Sequence, residues 1–191
     1  GLARHPLFMS IEAPSGPIPV IHGTGNCLIS RSVLERLTPP FLDTRFNFLG
    51  GGDMEFFSRM RSQGIAFHWA GDAVVREFVD TERLTAGWII RRSMRTGAIN
   101  YLIDRKRHVG ASGWMLLAAK NLVSLSLAPI RFVKGLVRTG QPLAASHWPF
   151  MTLGRILASF GWSTEPYRAP DSSPVEGGKA VAGLGRHPTQ G

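Results

Sequence analysis

The sequence predicts an α/β fold that continues into apolar, basic helices, and three observations carry that expectation. Helical periodicity alternates with short aromatic or β-branched runs as far as about residue 103. Long apolar stretches interrupted by Lys and Arg follow, and from Ser163 onward periodicity is lost. With 191 residues, 43% of them hydrophobic, there is material for one domain with its own core.

Taken in order, residues 1–19 read as loop or extended chain, because Pro14, Pro17 and Pro19 exclude a helix. The first residue is Gly1 rather than Met, and the opening reads as a chain entered part-way through. Val20-Ile21 pass through Gly23-Thr24-Gly25-Asn26 into an expected short buried strand, Cys27-Leu28-Ile29. Ser30 is placed to cap a short helix, Arg31–Leu37, that stops at Pro39-Pro40. The run Gly50-Gly51-Gly52-Asp53 predicts a tight turn that delivers Asp53 to a helix start. From Met54 to Gly64 the pattern is helical, with Phe56, Phe57 and Met60 on one face. Ile65–Ala70 and Ala73–Phe78 read as two strands about a Gly71-Asp72 turn.

A basic amphipathic helix is expected over Thr85–Ile103, then a polar break at Asp104–Arg107. The apolar stretch Gly113–Val137 is interrupted by Lys120, Arg131 and Lys134. Its charge-free runs fall short of the roughly 20 residues a spanning helix needs, so an interfacial or paired helix is expected. A shorter apolar element follows at His147–Phe160, and Ser163 onward reads as a disordered tail.

The net charge of +9 and pI near 11.0 call for an anionic partner. Between Arg83 and Arg138 the only acid is Asp104, amid long apolar runs, and zinc-finger, RNP and basic-heptad patterns are absent. An anionic membrane surface together with a diphosphate therefore fits better than nucleic acid. The single cysteine, Cys27, permits no intrachain disulfide, and six scattered histidines do not support a zinc site. The opening stretch shows no signal-peptide pattern, so cytoplasmic chemistry is the default expectation.

Asp53 is the leading candidate for chemistry. A carboxylate on a glycine turn before a helix is aimed and held by its own backbone, as a general base must be, although the same residue could simply cap the helix. Downstream, Arg83, Arg91, Arg92 and Arg95 can approach one another on and around one helix. Arg91 and Arg95, at i and i+4, repel, and a bound anion would offset that repulsion. A solvated or lipid-facing basic surface is the alternative.

The run Phe46-x-x-x-Gly50-Gly51-Gly52-Asp53-x-Glu55-Phe56-Phe57-x-Arg59, followed by Arg83-Leu84-Thr85 and Trp88-x-x-Arg91-Arg92, resembles the C-terminal half of family 2 glycosyltransferases. The bacterial exopolysaccharide and lipopolysaccharide type is the nearest, and Gly23-Thr24-Gly25-Asn26-x-Leu28-Ile29 resembles the segment before that family's acidic motif. The resemblance covers about residues 20–100. It implies the acceptor-side half of a GT-A fold over 1–110, a membrane-associated helical region over 111–162 and a tail over 163–191. It further implies inverting transfer from a nucleotide sugar to a saccharide or lipid-linked acceptor, with Asp53 as base, at the cytoplasmic face of the inner membrane. Arg83, Arg91, Arg92, Glu55 and Asn26 become candidate substrate or diphosphate contacts. A family Gln-x-x-Arg-Trp segment transfers only Arg91, which argues against a processive polymerase. Gly52 stands where the first acid of a Glu-Asp pair is expected, so Glu55 is a candidate to share its work. No Asp-x-Asp is present, so the divalent metal (Mn or Mg) and the nucleotide are expected to bind an N-terminal half that this sequence lacks. The rival expectation is a non-catalytic remnant that binds anionic membranes.

Weaker candidates are read mainly as structural: His22 and His68 beside apolar segments, Trp69 in the core, and Asn26 in a turn. Glu77 is either a partner for Arg76 or Arg83 or a site carboxylate.

Overall fold

The computed structural model describes residues 13–162, apart from His22 and Arg76. The expected tail, the first twelve residues of the expected opening loop, and the roles weighed for His22 and Arg76 lie outside the described residues. Helix dominates. The elements run β1 (Gly16–Ile18), α1 (Arg31–Arg36), α2 (Gly52–Ser62), β2 (Phe67–Trp69), α3 (Ala86–Arg107), α4 (Gly110–Thr139), α5 (Pro142–Ala145) and α6 (His147–Ser159), with 3-10 turns at Thr44–Phe46 and Thr81–Leu84.

The strands depart most from expectation. β1 and β2 form an antiparallel pair, Gly16 opposite Trp69 and Ile18 opposite Phe67, so part of the expected opening loop is a strand. Pro17 is tolerated because a two-stranded sheet has only edges. The Trp69 Nε1–H donates to Ala13 O at 3.0 Å and the Gly71 N–H to Ser15 Oγ at 2.9 Å, which extends the pairing. Cys27–Ile29 is no strand, although its alternation is right: Cys27 and Ile29 pack inward while Leu28 is 99% exposed. No neighbouring strand pairs with it among the described residues. The described residues of the other expected strand, Ala73–Val75 and Glu77–Phe78, are likewise not in a strand; Val74, Val75 and Phe78 are exposed, with nothing described to cover them.

Around β1 and β2, Leu37, Phe56, Phe57, Met60 and Phe67 form one core, with Phe57 edge-on to Phe67. A second core joins the turn before α2 to α3 through Phe46, Leu49, Ile99 and Ile103. Ala98, Tyr101, Leu117 and Ala158 join α3 to α4 and α6 in a third. Thr85 caps α3, accepting from the Trp88 N–H. The expected break at Asp104–Arg107 is instead the last turn of α3. Three cations there, Arg105, Lys106 and Arg107, complement the negative end of the helix dipole.

α3 and α6 cross with their backbones in contact. A Cβ on Gly97 would overlap Met151 O, and one on Gly154 would overlap Met94 O. Small residues let two helices approach this closely. α4 contrasts with this pair: only Gly113, Leu117 and Ala128 are buried along its 30 residues. Among the described residues it is the one helix long and apolar enough to cross a membrane, by length and composition.

Gly97→Ala should therefore lower unfolding stability by about 2 kcal/mol or more, because the methyl group meets backbone that cannot turn aside. Urea denaturation followed by circular dichroism measures it, and a stability equal to wild type would contradict the contact.

Candidate functional site

Asp53 sits in the first turn of α2 rather than at its cap. The cap is Gly51, at φ 82°, following Gly50 at φ 81°, both in the left-handed region that favours glycine. Gly51 is excluded from carrying a side chain a second time, since its Cβ would lie 2.6 Å from Ile99 Cγ2. The corner is thereby seated on the middle of α3.

The Asp53 side chain is half-buried and its Oδ1 accepts from the Met54 N–H at 2.8 Å. The other oxygen, Oδ2, lies beneath the Gly23-Thr24-Gly25-Asn26 loop, 3.5 Å from where a Cβ on Gly23 would stand. Asn26 anchors that loop by donating from Nδ2 to Ala73 O at 2.8 Å, so its amide is engaged in structure.

Glu55 is placed differently from the substrate contact expected of it. It is 3% exposed and pairs with Arg59 at 3.3 Å and closely with Lys106, which also holds Asp43 at 2.8 Å. Arg59 in turn donates to Phe41 O. Glu55 thus ties α2 to the end of α3, and nothing in its surroundings leaves it open to a ligand. Hydrogen bonds from Arg45 and then Lys106 outweigh burial and hold the Asp43 carboxyl well below the usual range. On Lys106, burial is outweighed by its bonds to Asp43 and Glu55, and its pKa rises.

The arginines are partly brought together. Arg83 and Arg92 each lie over the Trp88 ring, both 5.2 Å from its centroid. Arg83 also pairs with Glu77 at 3.2 Å, which gives Glu77 the salt-bridge role. Arg91 is exposed, its guanidinium folded back to within 3.3 Å of a Cβ position on Gly87. Ile99, which touches the glycine corner, is one helical turn from Arg95 and about 10 Å of axial rise from Arg92. Arg92 and Arg95 therefore lie on α3 N-terminal to the residue that seats the Asp53 corner. Trp69 is half-buried with its indole N–H engaged, and His68 is exposed on the outer side of β2.

Burial and the nearby Arg92 charge lower the pKa of His147, whose Nδ1 lies 2.8 Å from Ser93 Oγ. The Ser93 hydroxyl donates to Ile89 O, so it accepts from the imidazole. Among the described residues no three His, Cys, Asp or Glu side chains converge, and Glu55 is already committed to cations. This donor set does not fit a divalent metal.

Sequence reasoning missed a cleft of about 600 Å³ beside this corner, between α2, α3, α4 and α6. Asp104 stands on its wall, bonded to Lys120 of α4 at 3.1 Å and to Arg155 of α6 at 2.8 Å. Burial would raise the Asp104 carboxyl, but the bonds from Lys120 and Arg155 outweigh it and its pKa falls. The isolation of Asp104 in a basic stretch was the available signal. No family model, no curated protein and no solved structure matches the chain.

Lys106→Met should cost about 3 kcal/mol, since it leaves two carboxylates short of their shared cation, one of them buried. An unchanged urea midpoint would return Glu55 to the candidate ligands. For His147, a lowered folded pKa means stability present above the ordinary value of 6.5 and lost as pH falls through the folded value. Acidification from about pH 7 to about pH 5 should thus lower the urea midpoint, and His147→Gln should flatten that slope. Parallel slopes in the two proteins would refute the assignment.

Proposed function

We propose that this chain forms the acceptor-side half of an inverting, nucleotide-sugar-dependent glycosyltransferase of the GT-A type, with Asp53 as its general base. The observation that carries the reading is the mounting of Asp53. One oxygen is held by the helix's own N–H, and the other faces a glycine loop on a corner clamped against α3.

An acceptor hydroxyl at Oδ2 would give its proton to that oxygen as its own oxygen bonds to the anomeric carbon. The bond from that carbon to the diphosphate breaks, its electron pair leaves with the nucleoside diphosphate, and the configuration inverts. Arg83, Arg91 and Arg92, on and before α3, would face the diphosphate. In this reading the nucleotide sugar and any Mn or Mg ion are held by residues beyond those of this chain. The acceptor is a saccharide or a lipid-linked saccharide, as in exopolysaccharide or lipopolysaccharide assembly.

The same reading lays α4 and α6 on the anionic cytoplasmic surface of the inner membrane. At about 100° per residue, Lys120, Arg131, Lys134 and Arg138 fall within one stripe of α4. Met115, Leu122, Ile130, Val133 and Val137 are exposed on the side away from the buried face. Arg105 lies 3.7 Å from the centroid of Trp114 and Arg131 5.1 Å from that of Trp148, pairs suited to a membrane interface. This exposed face also favours the second reading, a non-catalytic membrane-binding module. The two readings differ at Asp53.

When this chain is joined to a nucleotide-sugar-binding half, Asp53→Asn should reduce transfer of labelled sugar by about 10²–10⁴-fold, while the amide oxygen still accepts from Met54. Wild-type transfer rates in that variant would remove the base assignment, and absence of transfer by the wild-type protein would leave the membrane module. Under either reading, binding to phosphatidylglycerol vesicles should weaken steeply as salt rises from about 0.05 to about 0.5 M.

A further inference from the structure

We infer that the cleft between α2, α3, α4 and α6 binds an amphiphile with a phosphate head and a single aliphatic chain. Its volume, about 600 Å³, lies within the roughly 300–1,000 Å³ of small-molecule sites. The walls are apolar, built from Val20, Ile21, Met54, Leu116, Val123 and Met151. The charged groups are predominantly cationic: Arg107, Lys120 and Arg155 line the cleft with one carboxylate, Asp104, among neutral Ser58, Asn100, Ser124 and Thr152.

That carboxylate holds two of the cations in place without matching all three. Arg155 is 8% exposed and its Nε donates to Asn121 Oδ1 at 2.9 Å. Its Nη2 is paired with Asp104 at 2.8 Å, which fixes the guanidinium in the cleft wall. A phosphate monoester brings more than one negative charge and several acceptor oxygens, which suits arginine. A neutral head would leave the surplus cations unmatched, and a free phosphate would leave the apolar walls wet.

The route in is set by α4. Leu116 and Val123 line the cleft and are also exposed beside the apolar face of that helix, so a chain can enter sideways from a bilayer. At the other end, Met54 follows Asp53 directly, and Ile21 lies two residues before the Gly23 that faces Oδ2. Arg107 donates to Ser58 O, one turn along α2 from Met54. As an acceptor site the cleft rests on the transferase reading; as a binding site it does not.

The test is calorimetric titration of the full chain with octyl phosphate, against octanol and inorganic phosphate. Octyl phosphate should bind saturably, and each control at least about tenfold more weakly. Ala119→Trp puts an indole into the cleft, and Arg107→Gln removes a cation without touching the Asp104 pairs; each should weaken octyl phosphate by about tenfold with helical circular dichroism unchanged. Inorganic phosphate binding as tightly as octyl phosphate, or both variants binding like wild type, would overturn the site. Phosphatidylglycerol vesicles separate the sources. Competition with octyl phosphate, and weaker vesicle binding by Ala119→Trp, would identify bilayer lipid as the occupant. Octyl phosphate binding that persists beside vesicles would identify a lipid-linked acceptor. If the wild-type protein shows no transfer while octyl phosphate still binds, the transferase reading fails and the cleft stands; transfer that depends on Asp53 without octyl phosphate binding removes the cleft alone.

Discussion

The contact between Gly51 and Ile99 is the constraint on which the candidate site depends. It seats a left-handed glycine corner against the middle of α3, with no room for even one carbon between them. α3 is 22 residues long, about 33 Å, and the glycine corner, α4 and α6 all pack on it. Ile99 and Ile103 receive the corner and the start of α2, while Ala98 and Tyr101 receive α4 and α6. Arg91, Arg92 and Arg95 belong to its N-terminal half and the lysine that balances Glu55 to its last turn. A displacement of the corner along α3 would alter all of these relations together.

Two ionic hubs on the C-terminal half of α3 fix its neighbours with opposite charge logic. Lys106 is a cation shared by two carboxylates, Asp43 and Glu55, from the segment leading into α2 and from α2 itself. Asp104 is a carboxylate shared by two cations, Lys120 and Arg155, from α4 and α6. Each removes charge from an interior where an unpaired ion would be costly. The basic residues left on outer surfaces, Arg91, Lys134 and Arg138 among them, then dominate what an approaching anion meets.

Signals carried within one segment are legible in the sequence, and those that depend on distant partners are not. The helices were legible because their apolar spacing is carried within each segment; Phe56, Phe57 and Met60 alone announce the buried face of α2. The corner was legible because consecutive glycines before an acid have few backbone solutions. Strand pairing was not, since it requires knowing that Ile18 meets Phe67. Val74 and Val75 have the right side chains for a strand but no partner in the described chain. Glu55 shows both cases: its pairing with Arg59 follows from helical spacing, whereas Lys106 is 51 positions away. The cleft went unread for the same reason, because its lining comes from four helices and the segment before the glycine loop.

The hub at Asp104 also bears on how α4 would meet a membrane. Lys120 lies in the first half of α4 and is tied to Asp104, and Asp104 to Arg155. If α4 crossed a bilayer, these three ionised groups and the open cleft beside them would be drawn toward hydrocarbon, at a cost of several kcal/mol for a charge near the midplane. Arg131 and Lys134 would add to that cost from the second half of the helix. With α4 lying in the plane of the interface, its cationic stripe stays among lipid headgroups and its exposed valines, leucines and isoleucine enter the acyl region. The core that joins α3 to α4 through Leu117 then stays outside the hydrocarbon, and so does the corner that α3 carries. On the transferase reading proposed above, an in-plane α4 would keep Asp53 beside the membrane surface, open to a lipid-borne hydroxyl on one side and a water-soluble nucleotide sugar on the other.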